Sequence, residues 1–327
     1  MTSNKATIRG FLEFMESWNN NDDHITQKTS GSTGAPKTIP LSKEKMLASA
    51  RMTGEFLGLN KCSNALLCIS PSYIGGKMMI VRSGLYNLEL TVGEVSSNPL
   101  LNASEHYDFA AMVPLQVETI LNQNPEKLNL IRVLIIGGAP VSNDLANRLK
   151  KSTCRAFSTY GMTETLSHVA LKDVKKDSEP FRAIGNTTFR TEHGKLIINC
   201  PELGIPELHT NDLVELIDEK SFFWKGRADF VINSGGIKLH PEQIEQKLHS
   251  LISPTPFIVG GLPDSKLGEK PVLILESENS GSLTIDSLRK VLEKFEVPKA
   301  IIFTDKLSYT SSGKIDRRAT VQKVIND

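Results

Sequence analysis

The sequence predicts an α/β protein in two parts. Residues 1–228 form a large N-terminal α/β domain with a parallel-rich sheet and a small β sub-barrel, and residues 229–327 form a small C-terminal α+β domain. Three observations predict this. Short apolar strands alternate with helical stretches through the first half of the chain, the pattern of a parallel sheet covered on both faces. From about 181 to 224 the texture changes to short alternating strands (Lys195 to Asn199, Leu213 to Ile217, Phe222 to Trp224), which indicate antiparallel pairing. From Asp229 a strand, a Gly235-Gly236 turn, helix 241–251, strands 256–261 and 271–276, helix 284–295 and strand 300–304 make a compact further unit.

The elements follow in order. Ile8, Phe11, Leu12, Met15 and Trp18 share one helical face, read as a packing face, and the helix stops in Asn19 to Asp23. His24 to Lys28 is a short strand. Ser42 caps a helix to about Leu57, with Met46, Ala50, Thr53 and Leu57 on one side. Ala65 to Ile69 is a buried strand that ends in Pro71-Ser72-Tyr73-Ile74-Gly75-Gly76, and Lys77 to Arg82 continues as a helix. Strand, glycine turn and helix is how an α/β fold presents ligand contacts at the carboxyl end of a strand. Leu88 to Val92 and Phe109 to Val113 are strands, and Pro114 starts a helix through Leu121. Arg132 to Ile136 is a central strand ending in Gly137-Gly138-Ala139-Pro140, after which Ser142 caps the next helix.

Composition excludes several classes. A net charge of +1 over 327 residues gives no reason to expect a nucleic-acid or anionic-membrane partner. Hydrophobic content of 39% and charged content of 23% are those of an ordinary globular enzyme. Cys62, Cys68, Cys154 and Cys200 fit no zinc spacing and are expected as reduced thiols. No signal core or membrane-length apolar run occurs, so a cytoplasmic protein is expected.

The most chemically loaded stretch is Thr29-Ser30-Gly31-Ser32-Thr33-Gly34-Ala35-Pro36-Lys37. Four hydroxyls, two glycines and a lysine suit a loop that wraps phosphate oxygens with side chains and bare N–H groups. It is not a Walker A loop, because the second required glycine falls on Pro36. Four later stretches share its chemistry. Tyr160-Gly161-Met162-Thr163-Glu164-Thr165 offers an aromatic face, a close-approach glycine, a hydroxyl for a phosphate oxygen and a carboxylate suited to Mg²⁺. Thr210-Asn211-Asp212 puts a carboxylate after a strand, suited to accepting two ribose hydroxyls. Gly226-Arg227-Ala228-Asp229 runs on to Asn233-Ser-Gly-Gly-Ile-Lys238. Tyr309-Thr-Ser-Ser-Gly-Lys314-Ile-Asp-Arg317 sets a lysine in a flexible turn. Alone, Glu164 and Lys314 would be solvated and Asp212 could cap a turn. Together, their order and spacing call for one site.

TSGSTGAPK, GGAP, YGMTET, TND, GRADFVINSGGIKLHPEQIE and SSGKIDRR resemble the successive core motifs of the adenylate-forming superfamily of acyl-CoA synthetases, adenylation domains and luciferases, from residue 29 to residue 318. Within it, the short chain and Pro-Ser-Tyr-Ile-Gly-Gly-Lys-Met-Met are similar to the o-succinylbenzoate–CoA ligases of menaquinone biosynthesis. The resemblance implies ATP, Mg²⁺ and coenzyme A as reactants with a small carboxylic acid. It gives Thr29, Ser30, Gly31, Ser32, Thr33, Gly34 and Lys37 to the phosphates, Thr163 to the α-phosphate and Glu164 to Mg²⁺. It lines the adenine pocket with Gly138, Ala139, Pro140, Thr159, Tyr160 and Gly161, and gives Asp212 and Arg227 to the ribose. Lys314 would bridge carboxylate and α-phosphate, Asp229 would be the domain hinge, and Gly235 and Gly236 would approach the CoA tunnel.

For the acid, Tyr73, Gly75, Gly76, Lys77 and Arg82 are the expected pocket. Arg82 is the first choice and Lys77 the second for the unreacted carboxylate of a diacid, with helix-surface pairing of Arg82 as the alternative. His168 is expected to pack.

Three departures stand out. The phosphate loop follows only 28 residues, so a shortened N-terminal region is expected. Ile74 stands where many relatives have histidine, and Lys238 where arginine is common. Loading of a carrier protein instead of CoA uses the same nucleotide residues and stays open. A non-catalytic nucleotide-binding module is disfavoured because Lys37, Glu164, Asp212, Arg227 and Lys314 are all present. The residues do not indicate an oligomeric state.

Overall fold

The computed structural model describes residues 2–28, 38–278, 283–310 and 314–326. Its elements in chain order are α1 (Thr2–Asn19), β1 (His24–Lys28), β2 (Thr38–Ser42), α2 (Lys43–Leu57), β3 (Asn64–Leu67), α3 (Ile74–Tyr86), β4 (Glu89–Val92), β5 (Tyr107–Met112), α4 (Pro114–Gln123), β6 (Ile131–Ile136) and α5 (Asn143–Leu149). Then come β7 (Arg155–Gly161), β8 (His168–Asp173), β9 (Phe181–Ala183), β10 (Thr188–Glu192), β11 (Lys195–Cys200), β12 (Ile205–Asp218) and β13 (Ser221–Arg227). The last group is β14 (Ile232–Ser234), β15 (Ile237–Leu239), α6 (Pro241–Ile252), β16 (Phe257–Asp264), β17 (Gly268–Glu276), α7 (Ile285–Arg289), β18 (Ala300–Thr304) and α8 (Arg317–Asn326).

An eleven-stranded sheet runs β10-β11-β12-β13-β9-β8-β7-β6-β5-β3-β4. From β4 to β7 the pairings are parallel, and from β7 to β10 they are antiparallel. The antiparallel strands expected after residue 181 are present, but they do not stand apart as a sub-barrel. β9 bonds to β8, and β8 to β7, so they extend the parallel sheet edge-on.

Side-chain alternation gives the sheet two dry faces. Leu67, Phe109, Val133 and Ile135 point toward α1, α2 and α3 with Phe14, Met46, Ala50, Met78 and Met79. Leu66, Ala110, Leu134 and Ile136 point toward α4 and α5 with Val117, Ile120, Leu145 and Leu149. This is why those strands read as continuous apolar runs. Ser42 accepts from Lys45 N at 3.4 Å and Ser142 from Leu145 N at 3.1 Å, capping α2 and α5 as expected.

A separate five-stranded sheet, β15-β14-β17-β16 with β18 parallel to β17, carries its own core on each face. α6 covers one face through Ile244, Leu248 and Ile252. α8 covers the other through Val321 and Val324. Two boundaries differ from expectation. α3 begins at Ile74, so Gly75 and Gly76 lie in its first turn and not in a loop before it. The helix expected over 284–295 ends at Arg289, and beyond it the Glu296 carboxylate accepts from Glu293 N at 3.0 Å. Among the described residues no helix is long and apolar enough to cross a membrane.

Candidate active site

Because β3, β5, β6 and β7 are parallel, the segments that follow them leave one edge of the sheet, and the crevice outside that edge is where an open α/β sheet takes its ligand. The β1–β2 ladder sets Lys28 opposite Thr38, the two residues that flank segment 29–37. Gln27 Nε2 donates to Ser72 O at 3.2 Å and Lys77 Nζ to Thr26 O at 3.2 Å, which ties this ladder to the β3–α3 connection. Thr29, Ser30, Gly31, Ser32, Thr33, Gly34 and Lys37 lie outside the described residues.

Gly138, Ala139 and Pro140 are exposed just beyond β6, next to the neighbouring strand β7 that carries Thr159 and Tyr160. A Cβ on Gly137 would lie 2.5 Å from Thr159 Oγ1, so these two segments touch. After Gly161, the buried Thr165 ties the turn together. Its Oγ1 accepts from Met162 N at 3.0 Å and bonds onward to Ser167 O at 2.6 Å. Thr163 is left half-buried and Glu164 exposed on that turn. Among the described residues no cluster of three His, Cys, Asp or Glu side chains could by itself cage a metal.

Asp212 is 7% exposed and held at both oxygens: Tyr160 Oη donates to Oδ2 at 2.8 Å and Trp224 Nε1 to Oδ1 at 3.0 Å. Burial, and then the Asp212 charge, push the Tyr160 phenol well above its ordinary pKa, so it remains a donor. Each carboxylate oxygen keeps a further lone pair for a ligand hydroxyl. The Tyr160 ring packs edge-on to Phe222 at 5.0 Å between centroids. Arg227 is the register partner of Asp212 across β12 and β13, and its Nη2 pairs with Asp229 Oδ2 at 2.8 Å. Burial works against the Arg227 charge, but Asp229 and Asp212 hold its pKa above the ordinary value. Trp224, which closes the second oxygen of Asp212, was not singled out from the sequence, because only the strand register reveals it.

The acid-side residues occupy α3 and the segment before it. Tyr73 is exposed at the N-cap position of α3, where its side chain makes no capping hydrogen bond. A Cβ on Gly76 would lie 2.3 Å from Ser70 O, so the first turn of α3 sits tightly on the end of β3's connection, whereas Gly75 has room. Burial lowers the pKa of Lys77.

Arg82 is 1% exposed, so the surface-pairing alternative does not hold. Its Nη2 donates to Ser167 Oγ at 2.8 Å, its Nε is buried with no hydrogen-bond partner, and no carboxylate among the described residues pairs with it. Burial pushes its pKa down to about 9, which still leaves a cation at neutral pH. His168 packs, as expected, but it also bonds Thr53 Oγ1 through Nε2 at 2.9 Å and Ser167 Oγ through Nδ1 at 3.3 Å. Thr53 and Ser167 were missed, since the first contact spans 115 residues and leaves no local signal.

In the turn between β13 and β14, Asp229 pairs with Arg227 on one side and lies 3.9 Å from Arg318 of α8 on the other. Gly235 (φ +61°) and Gly236 (φ +82°) form the two-residue turn of the β14–β15 hairpin, in which both positions need left-handed backbone. Lys238 is exposed on β15. Lys314 lies in a short ladder in which Thr310 N donates to its carbonyl at 2.8 Å, and desolvation lowers the pKa of its amine. Among the described residues no hydrogen bond joins Lys314 to Thr163 or Glu164.

A family model described as AMP-binding enzyme matches residues 11–194. The 2-succinylbenzoate–CoA ligase of Listeria monocytogenes serovar 1/2a is 26% identical over 93% of this chain and 71% of its own length. That of Geobacillus sp. (strain WCH70) is 24% identical over 97% and 72%. Among solved structures, an acyl-CoA synthetase (AMP-forming)/AMP-acid ligase II-like protein from Dyadobacter fermentans is 37% identical, with 97% of this chain and 94% of that one covered and a TM-score of 0.64. The o-succinylbenzoate coenzyme A synthetase of Bacillus subtilis, in complex with ATP and magnesium ion, shares the fold at a TM-score of 0.80 and 21% identity over 90% of this chain and 69% of its own.

Proposed function

Because this chain belongs to the AMP-binding enzyme family, we propose that it is an ATP-dependent carboxylic acid–CoA ligase that works through an acyl-adenylate, with o-succinylbenzoate as its acid. One observation carries the choice of acid. Arg82 is a buried cation with an orphan Nε and, among the described residues, no carboxylate partner, which is costly unless a ligand supplies the anion. A diacid leaves one carboxylate unreacted for that purpose. The curated 2-succinylbenzoate–CoA ligases that this chain resembles over most of its length support the same acid.

In the first step a carboxylate oxygen attacks the α-phosphorus of ATP, a P–O bond forms and pyrophosphate leaves. In the second the CoA sulfur attacks the acyl carbon, a C–S bond forms, AMP leaves and the thiol proton passes to solvent. Charge accumulates on phosphate oxygens in the first step, so fixed donors there lower the barrier. We assign the phosphates to Thr29, Ser30, Gly31, Ser32, Thr33, Gly34 and Lys37, and the α-phosphate to Thr163.

Gly138, Ala139, Pro140, Thr159, Tyr160 and Gly161 would line the adenine, and Asp212 with Arg227 would hold the ribose. Tyr160 and Trp224 support Asp212 in that role by fixing both of its oxygens. Glu164 would hold Mg²⁺. A single exposed carboxylate with no protein cage fits that ion, which is usually held by one or two carboxylates, substrate phosphates and water. Bound there, it would neutralise phosphate charge.

Tyr73, Gly75, Gly76, Lys77 and Arg82 would form the acid pocket. Lys314 would bridge the carboxylate and the α-phosphate. Residues 229–327 would pivot at Asp229 to withdraw Lys314 and bring Gly235 and Gly236 to the CoA path.

Pyrophosphate release with ATP and Mg²⁺, measured with and without CoA across o-succinylbenzoate, benzoate, acetate, a medium-chain fatty acid and several amino acids, tests the proposal. Turnover confined to o-succinylbenzoate and ending in a CoA thioester is the expected result. Turnover of another acid instead would overturn the choice of acid, and AMP release that requires a carrier protein would overturn CoA as the acceptor.

A further inference from the structure

We infer that His168 is a positioning residue of the acid pocket: as the neutral Nε2–H tautomer it orients the Ser167 hydroxyl, and through it Arg82, to receive a second anionic group on the substrate. The inference rests on the reading of Arg82 as the acid-side cation.

Its basis is a chain of hydrogen bonds whose direction follows from chemistry. Arg82 has only donors, so its Nη2 donates to Ser167 Oγ at 2.8 Å. At the other end Thr53 Oγ1 lies 3.1 Å from the backbone carbonyl of Ser49, which has only lone pairs to offer. Thr53 therefore gives its proton to that carbonyl and accepts at 2.9 Å from His168 Nε2–H. The bare Nδ1, 3.3 Å from Ser167 Oγ, takes the serine proton and leaves the serine lone pairs facing Arg82.

Each link of this relay, from Arg82 Nη2 to hydroxyl to imidazole to hydroxyl to carbonyl, pairs one donor with one acceptor. The opposite tautomer would make Ser167 Oγ accept from both Arg82 and His168 and would take away the partner of its own proton. At a site where Thr53 is 0% and His168 5% exposed, a lost partner is costly.

Burial, and then the Arg82 charge, hold His168 well below its ordinary pKa, so it stays neutral beside the cation. A neutral ring supplies orientation without a competing charge. One Nη2 hydrogen is pinned, which fixes the guanidinium plane and leaves its other donors, the orphan Nε included, to a carboxylate that can accept from two of them.

The test combines a spectroscopic and a kinetic readout on the full chain. Long-range ¹⁵N–¹H correlation spectra of the imidazoles should show His168 with a bare Nδ1 and a protonated Nε2. Thr53→Val keeps the shape of the side chain and removes the acceptor of the relay. It should raise KM for o-succinylbenzoate about 10-fold with KM for ATP unchanged. His168→Gln, whose amide oxygen can accept from Ser167 and whose amide nitrogen can donate to Thr53, should stay within about 3-fold of the parent, whereas His168→Leu should behave like Thr53→Val.

A protonated Nδ1, or an unchanged KM for o-succinylbenzoate in Thr53→Val, would overturn the relay while the ligase reading stands. A parent enzyme that turns over some other acid would overturn the choice of acid, and the tautomer measurement would still decide the relay. If His168→Leu does not fold, Thr53→Val and the spectrum of the parent decide.

Discussion

Replacing Arg82 with methionine should make the empty protein more stable and the enzyme worse. The guanidinium falls from an ordinary arginine value of 12.5 to about 9 because burial strips its water. At ~1.4 kcal/mol per pH unit this is about 5 kcal/mol, an upper limit on the cost of keeping the charge inside. The folded value lies below the unfolded one, so below about pH 9 the group is charged in both states and folding carries the whole penalty. The penalty is relieved only as the pH climbs above that value. Methionine removes it together with the orphan Nε, and loses one charged hydrogen bond to Ser167, worth ~1.5–3 kcal/mol.

The balance is a gain of at most about 2–3.5 kcal/mol, or a rise in Tm of up to roughly 5 °C. Thermal unfolding of the two proteins, each with and without o-succinylbenzoate, measures it. The parent should gain stability when the diacid is added and Arg82→Met should not, while KM for the diacid rises sharply. A variant that melts below the parent, or one that keeps the parent's KM, would refute the reasoning.

Four further outcomes follow from other residues. Tyr160→Phe removes one of the two donors to Asp212 and should raise KM for ATP about 10-fold with little change in KM for the acid, read from initial rates. Lys314→Ala should abolish formation of the adenylate yet largely spare thioester formation from supplied acyl-adenylate. Because desolvation lowers the Lys314 pKa and the proposed bridging role needs the charged amine, the parent's adenylation rate should fall on the alkaline side before an ordinary lysine would titrate, and Lys314→Arg should move that limb upward. Gly76→Ala forces a Cβ to within 2.3 Å of Ser70 O and should cost more than about 2 kcal/mol in denaturant unfolding, whereas Gly75→Ala, whose nearest neighbour would be 4.0 Å away, should be close to neutral.

The elements that were legible in the sequence are those whose signal is local. Ser42 and Ser142 cap the helices that their hydroxyls announce, and the apolar runs of β5 and β6 reflect a sheet dry on both faces. α8 gave no such signal, since Arg317 to Asn326 is mostly polar, and two of the side chains that pack inward, Thr320 and Arg317, are polar themselves beside Val321 and Val324. The glycines of α3 misled for a physical reason: Gly76 is there for the close approach to Ser70, and a sequence shows a glycine without showing what lies against it.

The candidate site divides in the same way. Arg82, Asp212, Tyr160 and Arg227 were legible as chemistry, and the first is buried beside Ser167 as a ligand-binding cation would be. Thr53, Ser167 and Trp224 were not, because each gains its meaning from a partner on another element.

The joint between the two sheets has a consequence for the cost of the proposed second chemistry. β13 ends at Arg227 and β14 begins at Ile232, so only residues 228–231 lie between them, a reach of at most about 18 Å. Whatever angle the smaller sheet takes, its first strand stays leashed beside Asp212 and the nucleotide wall. Lys314 and the Gly235-Gly236 turn are therefore never in free solution relative to the crevice. In the proposed alternation each would be presented at the high local concentration that a short tether imposes, so exchanging one for the other would be a rotation with little translational entropy to recover. A longer joint would dilute both groups at once.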